Sequence, residues 1–211
     1  MIAGVVSCPQ PPLLLPGRTG RPVAEVEELR GACRAAVADL LANGPDSVLL
    51  VGGVAPDEQD PVSLAIGRLL LAEAGCSDRI RTVPVRTDAT AAECLALGRQ
   101  LAAEAESAPD RRIGLLVMAD GSARRGPKAP GYLDPRAAPF DQAVQQALTD
   151  GDPAGLAGLD AELAAELLVA GRAGWQVLAG AVEGRRFQAR TYYLGDPFGV
   201  WYPVVGWTSV N

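Results

Sequence analysis

The sequence predicts an α/β fold: a three-layer αβα sandwich with a central mixed, mostly parallel sheet and a C-terminal antiparallel hairpin. Short apolar runs alternate with segments that repeat apolar residues at helical spacing, a pattern typical of this class. The runs VLLVGG and IGLLVMADGS are continuous and lead into glycine, as expected of strands that are buried on both faces. Residues 186–210 are rich in β-branched and aromatic residues, which predicts two antiparallel strands at the sheet edge.

Local signals place the elements of the first half. Glu25 and Glu27 stand in the first turns of a helix, where the helix dipole favours negative charge. Asp60 precedes a proline and is expected to cap a helix, and Thr90 and Glu93 have capping-box spacing. The predicted elements are a strand Ile2–Val6, a helix Val23–Ala42, a strand Val48–Gly53, a helix Val62–Ala74, a strand Ile80–Val85, a helix from Thr90 to Ala105 and a strand that starts at Ile113.

Aspartates open the predicted helices of the second half. Asp134 and Asp152 each precede a proline, and Asp160 precedes an alanine-rich segment. The sequence shows no internal repeat and no domain boundary, so a single domain over residues 1–211 is expected. The predicted elements are a helix Arg136–Leu148, a short turn Ala154–Leu159, helices Ala161–Val169 and Gly174–Val182, and a hairpin that Gly195-Asp196-Pro197 interrupts.

Composition argues against nucleic-acid binding and membrane insertion, and it favours a cytoplasmic location. A net charge of −6 and a pI near 4.8 argue against a nucleic-acid partner, because phosphates require a basic face. No apolar run approaches the ~20 residues that span a membrane, and the N-terminus lacks the charged region of a signal peptide. The four cysteines show no CxxC spacing, which favours reduced thiols in a cytoplasmic protein over a disulfide framework or a zinc site.

The chain contains no histidine. Histidine is the most frequent general base near neutral pH and the most frequent transition-metal ligand in proteins. The residues of this chain therefore cannot form a Ser-His-Asp triad, a Cys-His dyad or an imidazole metal site.

Three loops are expected to share one edge of the sheet, because ligands bind beyond the carboxyl ends of parallel strands. These loops are residues 7–12, 52–60 and 119–126, and all are rich in glycine or proline. Asp120 directly follows an apolar strand and is the best-placed carboxylate. The sequence predicts a ligand-binding cleft here and assigns neither a catalytic residue nor a metal ligand. The candidates are Cys8, Gln10, Gly53, Asp57, Asp120, Ser122, Arg124 and Tyr132.

Each candidate also has a structural interpretation. Cys8 is a nucleophile at a strand end or, since no base is available to activate it, a small buried apolar residue. Gln10 binds a ligand or satisfies the backbone of its proline-rich loop. Gly53 lets a ligand approach the backbone or belongs to a tight turn, and Tyr132 lines the cleft or covers it.

Two charged groups allow further interpretations. Asp57, Glu58 and Asp60 hold a hard cation through oxygen, or form a solvated loop in which Asp60 caps the next helix. The second group has two interpretations. Its side chains bind an anion or a carboxylate together with backbone amides, or its arginines are ordinary surface charges. This second group is Ser122, Arg124, Arg125 and Lys128.

From CPQPPLL through GSARRGPKAPGYLDPRAAPFDQAV and AAELLVAGRAGWQVLAGAV to DPFGVWYPVVGW, the chain resembles the LigB-like family of class III extradiol ring-cleavage dioxygenases. It is especially similar to small single-domain bacterial members, which also resemble Memo-like proteins. The similarity covers nearly the whole chain in order, and the first loop and residues 120–144 are its most specific parts. The resemblance implies an α/β fold and a non-haem Fe(II) held by two histidines and a glutamate. A further histidine acts as acid/base in the O₂-dependent cleavage of catechols.

The sequence departs from the family pattern at the positions of the iron ligands and of the acid/base histidine. Gln10 stands where the first loop of the family has an iron histidine, and Ala123 stands where the later loop has the acid/base histidine. The second iron histidine, expected around Gly53–Asp57, has no counterpart, and the glutamate ligand corresponds to apolar residues about Val169. Because Fe(II) oxygenases depend on a 2-His-1-carboxylate face, we expect no Fe(II). Ala123 joins the cleft candidates through this resemblance.

Three hypotheses follow for the function. The first is a catalytically degenerate LigB-like protein, a pseudoenzyme whose former active-site cleft is retained to bind a small anionic or aromatic molecule, or as structure. The second is an enzyme of altered chemistry: a carboxylate-bound Mg²⁺ or Mn²⁺ at Asp120 and the Asp57–Asp60 cluster, a metal-free reaction through Cys8, or an active dioxygenase-like oxidoreductase with non-histidine ligands. The third is an interaction module, such as a homodimer through the aromatic residues of the hairpin, which otherwise pack on the core.

Overall fold

The computed structural model describes residues 1–210 and places a six-stranded sheet between two helical layers. No helix in this range is both long and apolar enough to cross a bilayer. The strands are β1 Ile2–Cys8, β2 Ser47–Val54, β3 Ile80–Arg86, β4 Ile113–Met118, β5 Phe187–Gly195 and β6 Tyr202–Ser209. The helices are α1 Ala24–Ala42, α2 Val62–Glu73, α3 Ala91–Glu106, α4 Ala137–Asp150, α5 Pro153–Ala157, α6 Ala161–Glu166 and α7 Arg172–Ala181, and a short 3₁₀ turn spans Pro12–Leu14.

The strand order in the sheet is β3-β2-β4-β1-β6-β5. Strands β1 to β4 are parallel, whereas β6 runs antiparallel to β1 and β5 antiparallel to β6. This confirms the predicted mixed, mostly parallel sheet with a C-terminal hairpin at its edge. Both Cys8 of β1 and Gly52 of β2 pair with Met118 of β4. The carboxyl ends of these three strands therefore meet at one edge of the sheet.

Side chains of the central strands alternate between two apolar cores, as the pleat requires. In β1, Val5 belongs to the core under α3 to α7, and Val6 and Cys8 belong to the core under α1 and α2. The indole N–H of Trp175, which is fully buried on α7, donates to the Ser7 hydroxyl at 2.9 Å. Aromatic residues of the hairpin also pack on these cores; they include Tyr192, Tyr193, Phe198, Trp201, Tyr202 and Trp207.

Predicted side-chain caps start helices α3, α5 and α6, whereas the cap predicted for α2 is absent. Thr90 and Glu93 form the predicted capping box of α3, and Asp152 and Asp160 cap α5 and α6. The expectation that Asp60 caps α2 is wrong. Pro61 occupies the cap position without a side-chain hydrogen bond, and the Glu58 carboxylate accepts instead from the backbone N–H of Val62 at 3.1 Å. The longer glutamate reaches the helix terminus from the preceding turn, whereas Asp60 is exposed.

The predicted helix Ala161–Val169 is shorter in the structure. Helix α6 ends at Glu166, and Leu168 has a φ of +57°. A non-glycine residue in the left-handed region cannot continue a right-handed helix, so the chain turns here before α7 begins at Arg172.

Helices α3 and α7 pack backbone against backbone through glycines. A Cβ atom on Gly98 of α3 would lie 2.6 Å from the backbone nitrogen of Ala181 and even nearer to the carbonyl oxygen of Val177. Gly180 of α7 makes the reciprocal approach to the backbone of Leu95. Only glycine fits at either position without separating the helices.

Gly98→Ala is expected to lower the free energy of unfolding by about 1–3 kcal/mol or more, because the added methyl group forces the two helices apart. Gly31→Ala is the matched control: Gly31 is an exposed glycine inside α1 with open space at its Cβ position. This control should raise the free energy of unfolding by up to about 1 kcal/mol through helix propensity. Urea denaturation measures both, and equal effects of the same sign would contradict the packing argument.

Candidate functional site

Gln10 and Asp120 meet at the carboxyl edge of the sheet. Because Cys8 and Met118 are paired in register, the residues two positions beyond them come level. The backbone N–H of Ala119 donates to the carbonyl of Cys8 at 2.8 Å, and the backbone N–H of Gln10 donates to Oδ1 of Asp120 at 2.7 Å. Contacts between β1 and β4 therefore continue beyond the strand ends and hold this carboxylate beside the proline-rich loop.

The Asp120 carboxyl group is poorly solvated. The residue is 9% exposed, and burial raises its pKa to about 7, although the hydrogen bond from Gln10 acts in the opposite direction. Among the described residues, no arginine or lysine contributes to this pKa shift. Burial without a nearby cation disfavours the charged form. Asp120 is therefore able to take up or release a proton near neutral pH.

The Gln10 side chain carries an unsatisfied polar atom. Its Oε1 is buried and has no hydrogen-bond partner within residues 1–210. Leaving a buried acceptor unpaired costs on the order of 1–3 kcal/mol. The N–H or O–H group of a bound molecule would satisfy this oxygen.

Tyr202 lies close to the Asp120 carboxyl group, and sequence reasoning did not single it out. Burial raises the pKa of the Tyr202 phenol, and the negative charge of Asp120 raises it further. Tyr202 is the first residue of β6, which runs antiparallel to β1 and therefore starts at the edge where β1 ends. The sequence shows a tyrosine after the hairpin turn, but only the strand order places it near Asp120. We call Gln10, Asp120 and Tyr202 the Asp120 site.

Ser122 is fully buried and fixes the loop that follows β4. Its hydroxyl donates to Oδ2 of Asp141 on α4 at 2.5 Å, and its backbone N–H donates to Oδ1 at 2.9 Å. Arg125 lies 2.9 Å from Asp196 and 3.8 Å from Asp141. Two members of the predicted anion-binding group are thus engaged inside the protein.

The remaining residues of this loop are arranged differently. Ala123 offers only a methyl group, and its backbone bonds to Leu167 and Gly131. The Arg124 Nε is buried without a partner within residues 1–210. Tyr132 has a φ of +60° and is 74% exposed, so it forms no closed lid over the site.

Lys128 lies away from the Asp120 site. Together with Arg125 and residues 196–199, it lines a separate cavity of about 530 Å³. Arg125 and Lys128 of the predicted anion-binding group thus line one cavity whose lining does not include Asp120.

The first two loops contribute less than the sequence predicted. Cys8 is fully buried beside Cys33 of α1, and burial raises the pKa of its thiol well above the ordinary value. Gly53 is buried, and its carbonyl accepts from the Ser63 hydroxyl at 2.7 Å. Asp57 is exposed. Of the nine candidates, the structure brings Gln10 and Asp120 into direct contact.

The residues present do not fit an Fe(II) site. Within residues 1–210, no group of three or more histidine, cysteine, aspartate or glutamate side chains could hold a metal ion. Val169 is buried in the apolar core, and nearby Glu166 pairs with Arg136 at 2.6 Å on the surface. One carboxylate and one amide oxygen at the Asp120 site do not supply the facial set that Fe(II) requires.

Asp120→Asn is expected to raise the free energy of unfolding at about pH 8 by roughly 1–3 kcal/mol, because the folded state then buries no charge. The pKa of Asp120 is higher in the folded than in the unfolded chain. Its carboxyl group therefore favours folding at low pH and loses that contribution as the pH rises through about 7. The advantage of the variant should fall to less than half near about pH 5, because the carboxyl group of the unfolded chain titrates only near about pH 4.

Urea denaturation of both proteins at the two pH values measures this difference. Burial also raises the pKa of Asp141, but Asp141 is present in both proteins, so the comparison isolates Asp120. An advantage of equal size at both pH values would contradict the assignment.

The native protein is expected to resist alkylation by iodoacetamide, because all four cysteines are buried and burial holds Cys8 as a neutral thiol. Mass spectrometry should find modification at least about tenfold slower than in urea-unfolded protein, where the thiols are free to react. Rapid labelling of Cys8 in the folded protein would instead support a reactive cysteine.

Comparison with known proteins gives information about the fold and none about the function. No protein-family model matches the chain, and no curated protein matches it. The chain is similar to an uncharacterized protein of Escherichia coli K12, JW3007, whose crystal structure superposes with a TM-score of 0.51 at 14% sequence identity. The similarity covers 98% of this chain and 100% of that chain. It therefore concerns the arrangement of the whole sheet and its helices.

Proposed function

We propose that this chain is a LigB-like, extradiol-dioxygenase-like protein that does not hold Fe(II) and whose former active-site cleft binds a small molecule. The Asp120 site carries the proposal. A carboxyl group that is nine-tenths buried and a buried amide oxygen without a partner lie together at the carboxyl edge of a mostly parallel sheet. Unpaired buried polar groups destabilise a fold, so their presence at such an edge favours a bound ligand.

The position of the site supports the family part of the proposal. The two most specific parts of the sequence resemblance are the first loop and residues 120–144, and they are joined by the hydrogen bond from Gln10 to Asp120. The two positions where the family carries histidine hold Gln10 and Ala123. We infer that the loops around the site were kept while its iron chemistry was lost.

A second candidate function is an enzyme of altered chemistry in the same place. A carboxyl group with a pKa of about 7 is suited to general acid–base catalysis near neutral pH. In this version Asp120 exchanges a proton with the bound molecule, and no metal takes part. Cys8 is a poor nucleophile for such a reaction, because its thiol is buried and neutral.

The absence of iron chemistry is tested on protein purified without chelators. Elemental analysis should find far less than one iron per chain, because the donor set at the Asp120 site lacks imidazole. Incubation with catechol, Fe(II) and O₂ should give no yellow ring-cleavage product. Stoichiometric iron or ring cleavage would overturn the proposal.

Ligand binding is tested by a thermal-shift screen of small polar molecules. A ligand present at about 100 times its Kd should stabilise the fold by about 2.7 kcal/mol, which raises Tm by about 5–10 °C for a chain of this length. Asp120→Asn should abolish the shift, measured relative to the ligand-free variant. The matched control is Asp57→Asn, which changes an exposed aspartate and should preserve the shift. A shift that Asp120→Asn leaves intact would place the site elsewhere.

A further inference from the structure

The oxygen atoms of Gln10 and Asp120 that lack a partner act as hydrogen-bond acceptors for a bound molecule when Asp120 is ionised. Oδ1 of Asp120 already accepts from the backbone of Gln10, which leaves Oδ2 for a ligand. The Oε1 of Gln10 is buried and, within residues 1–210, has no donor. A molecule that offers only acceptors, such as a carboxylate, cannot bond to these oxygens, whereas one with N–H groups can bond to both.

The two arginines of the loop after β4 do not neutralise Asp120. Arg125 is bound to Asp196 at 2.9 Å. Hydrogen bonds from Arg136 lower the pKa of Asp134, and the charge of Arg124 adds a smaller contribution in the same direction, so the Arg124 guanidinium lies near that carboxylate. Neither arginine contributes to the pKa shift of Asp120.

The other elements around Asp120 also leave its charge uncompensated. Arg172, at the start of α7, is buried and donates to the backbone carbonyl of Thr87 at 2.8 Å. From β6, the titratable group near Asp120 is Tyr202, and burial raises the pKa of its phenol further above an ordinary value that already keeps it neutral at physiological pH. A buried carboxylate without a cation is unfavourable, and an incoming cation would relieve that penalty.

We propose that the Asp120 site binds the protonated amine of a small organic cation and rejects anions. The inference rests on the proposed function and names its class of ligand. An ammonium group supplies both the positive charge and up to three N–H donors, and charge-assisted hydrogen bonds are stronger than neutral ones. This differs from the anionic alternative of the sequence analysis, which named an anionic or aromatic ligand, because Ser122 and Arg125 are occupied by Asp141 and Asp196.

Three probes of similar shape separate charge from size: n-butylammonium, 1-butanol and butyrate. Slender probes suit the site because Asp120 is only 9% exposed. Butylammonium should cause saturable shifts of the backbone amide NMR signals of residues 10, 119–121 and 202. Butyrate should cause none there, and 1-butanol should bind at least about tenfold more weakly, since it satisfies Gln10 but not the carboxylate.

Two variants and one control test the named groups. Asp120→Asn keeps an acceptor for Gln10 and should weaken butylammonium binding at least about tenfold. Gln10→Leu removes Oε1 without changing the carboxylate and should weaken binding severalfold. The control Asp57→Asn removes one negative charge from the exposed surface and should leave the affinity unchanged.

The outcomes distinguish the two proposals. Butyrate or 1-butanol binding at these residues as tightly as butylammonium would overturn the cation selection and leave a small-molecule cleft standing. Equal losses in Asp57→Asn and Asp120→Asn would reveal non-specific attraction to an acidic protein and overturn it as well. If no probe causes a saturable shift, the cation selection fails. The broader proposal fails only if the thermal-shift screen also finds no ligand that depends on Asp120.

Discussion

The parallel pairing of β1 with β4 is the constraint on which the candidate site depends. With Cys8 opposite Met118, the main chain of the first loop reaches the loop after β4. The pairing extends beyond the strands through the bond from Ala119 to Cys8 and the bond from Gln10 to Asp120. A slip of one residue would turn every side chain of β1 to the opposite face and separate these groups. The site is thus a consequence of sheet register.

The layer formed by helices α3 to α7 also supports the edge of the sheet where β1 and β4 end. Ser122 binds Asp141 of α4, which fixes the loop after β4 immediately beyond Asp120. The backbone N–H of Gly171 donates to the carbonyl of Asp120 at 2.8 Å, directly before α7 begins. The close approach of α3 and α7 at Gly98 then sets the position of α7. The chain that hydrogen-bonds to Asp120 therefore leads directly into a helix that is tightly packed on α3.

Burial gives a single carboxylate an unusual chemical character. In water an aspartate is ionised at neutral pH and its charge is well solvated. At the end of β4, apolar surroundings and one backbone hydrogen bond leave Asp120 with a pKa of about 7. The neighbouring amide oxygen of Gln10 adds a second buried acceptor that the protein itself does not satisfy within the described residues. Both proposals concern what satisfies these two groups.

The α/β class, the approximate start of most helices and the absence of imidazole chemistry can all be read from the sequence, because they depend on composition, apolar periodicity and contacts within one turn. The capping box of Thr90 and Glu93 is such a local signal, and the structure confirms it. Gln10 and Asp120 were also accessible to sequence reasoning, because each lies in a loop that follows an apolar run.

The remaining features of the site depend on contacts between residues that are distant in the sequence. The tertiary structure shows that Ser122 is bound by Asp141, that Glu58 rather than Asp60 holds the start of α2, and that Tyr202 comes beside Asp120. Each depends on the distance between groups that the sequence does not order in space. Tyr202 reaches the site only because β6 inserts beside β1 in the antiparallel sense, and no local pattern specifies which strand a hairpin joins.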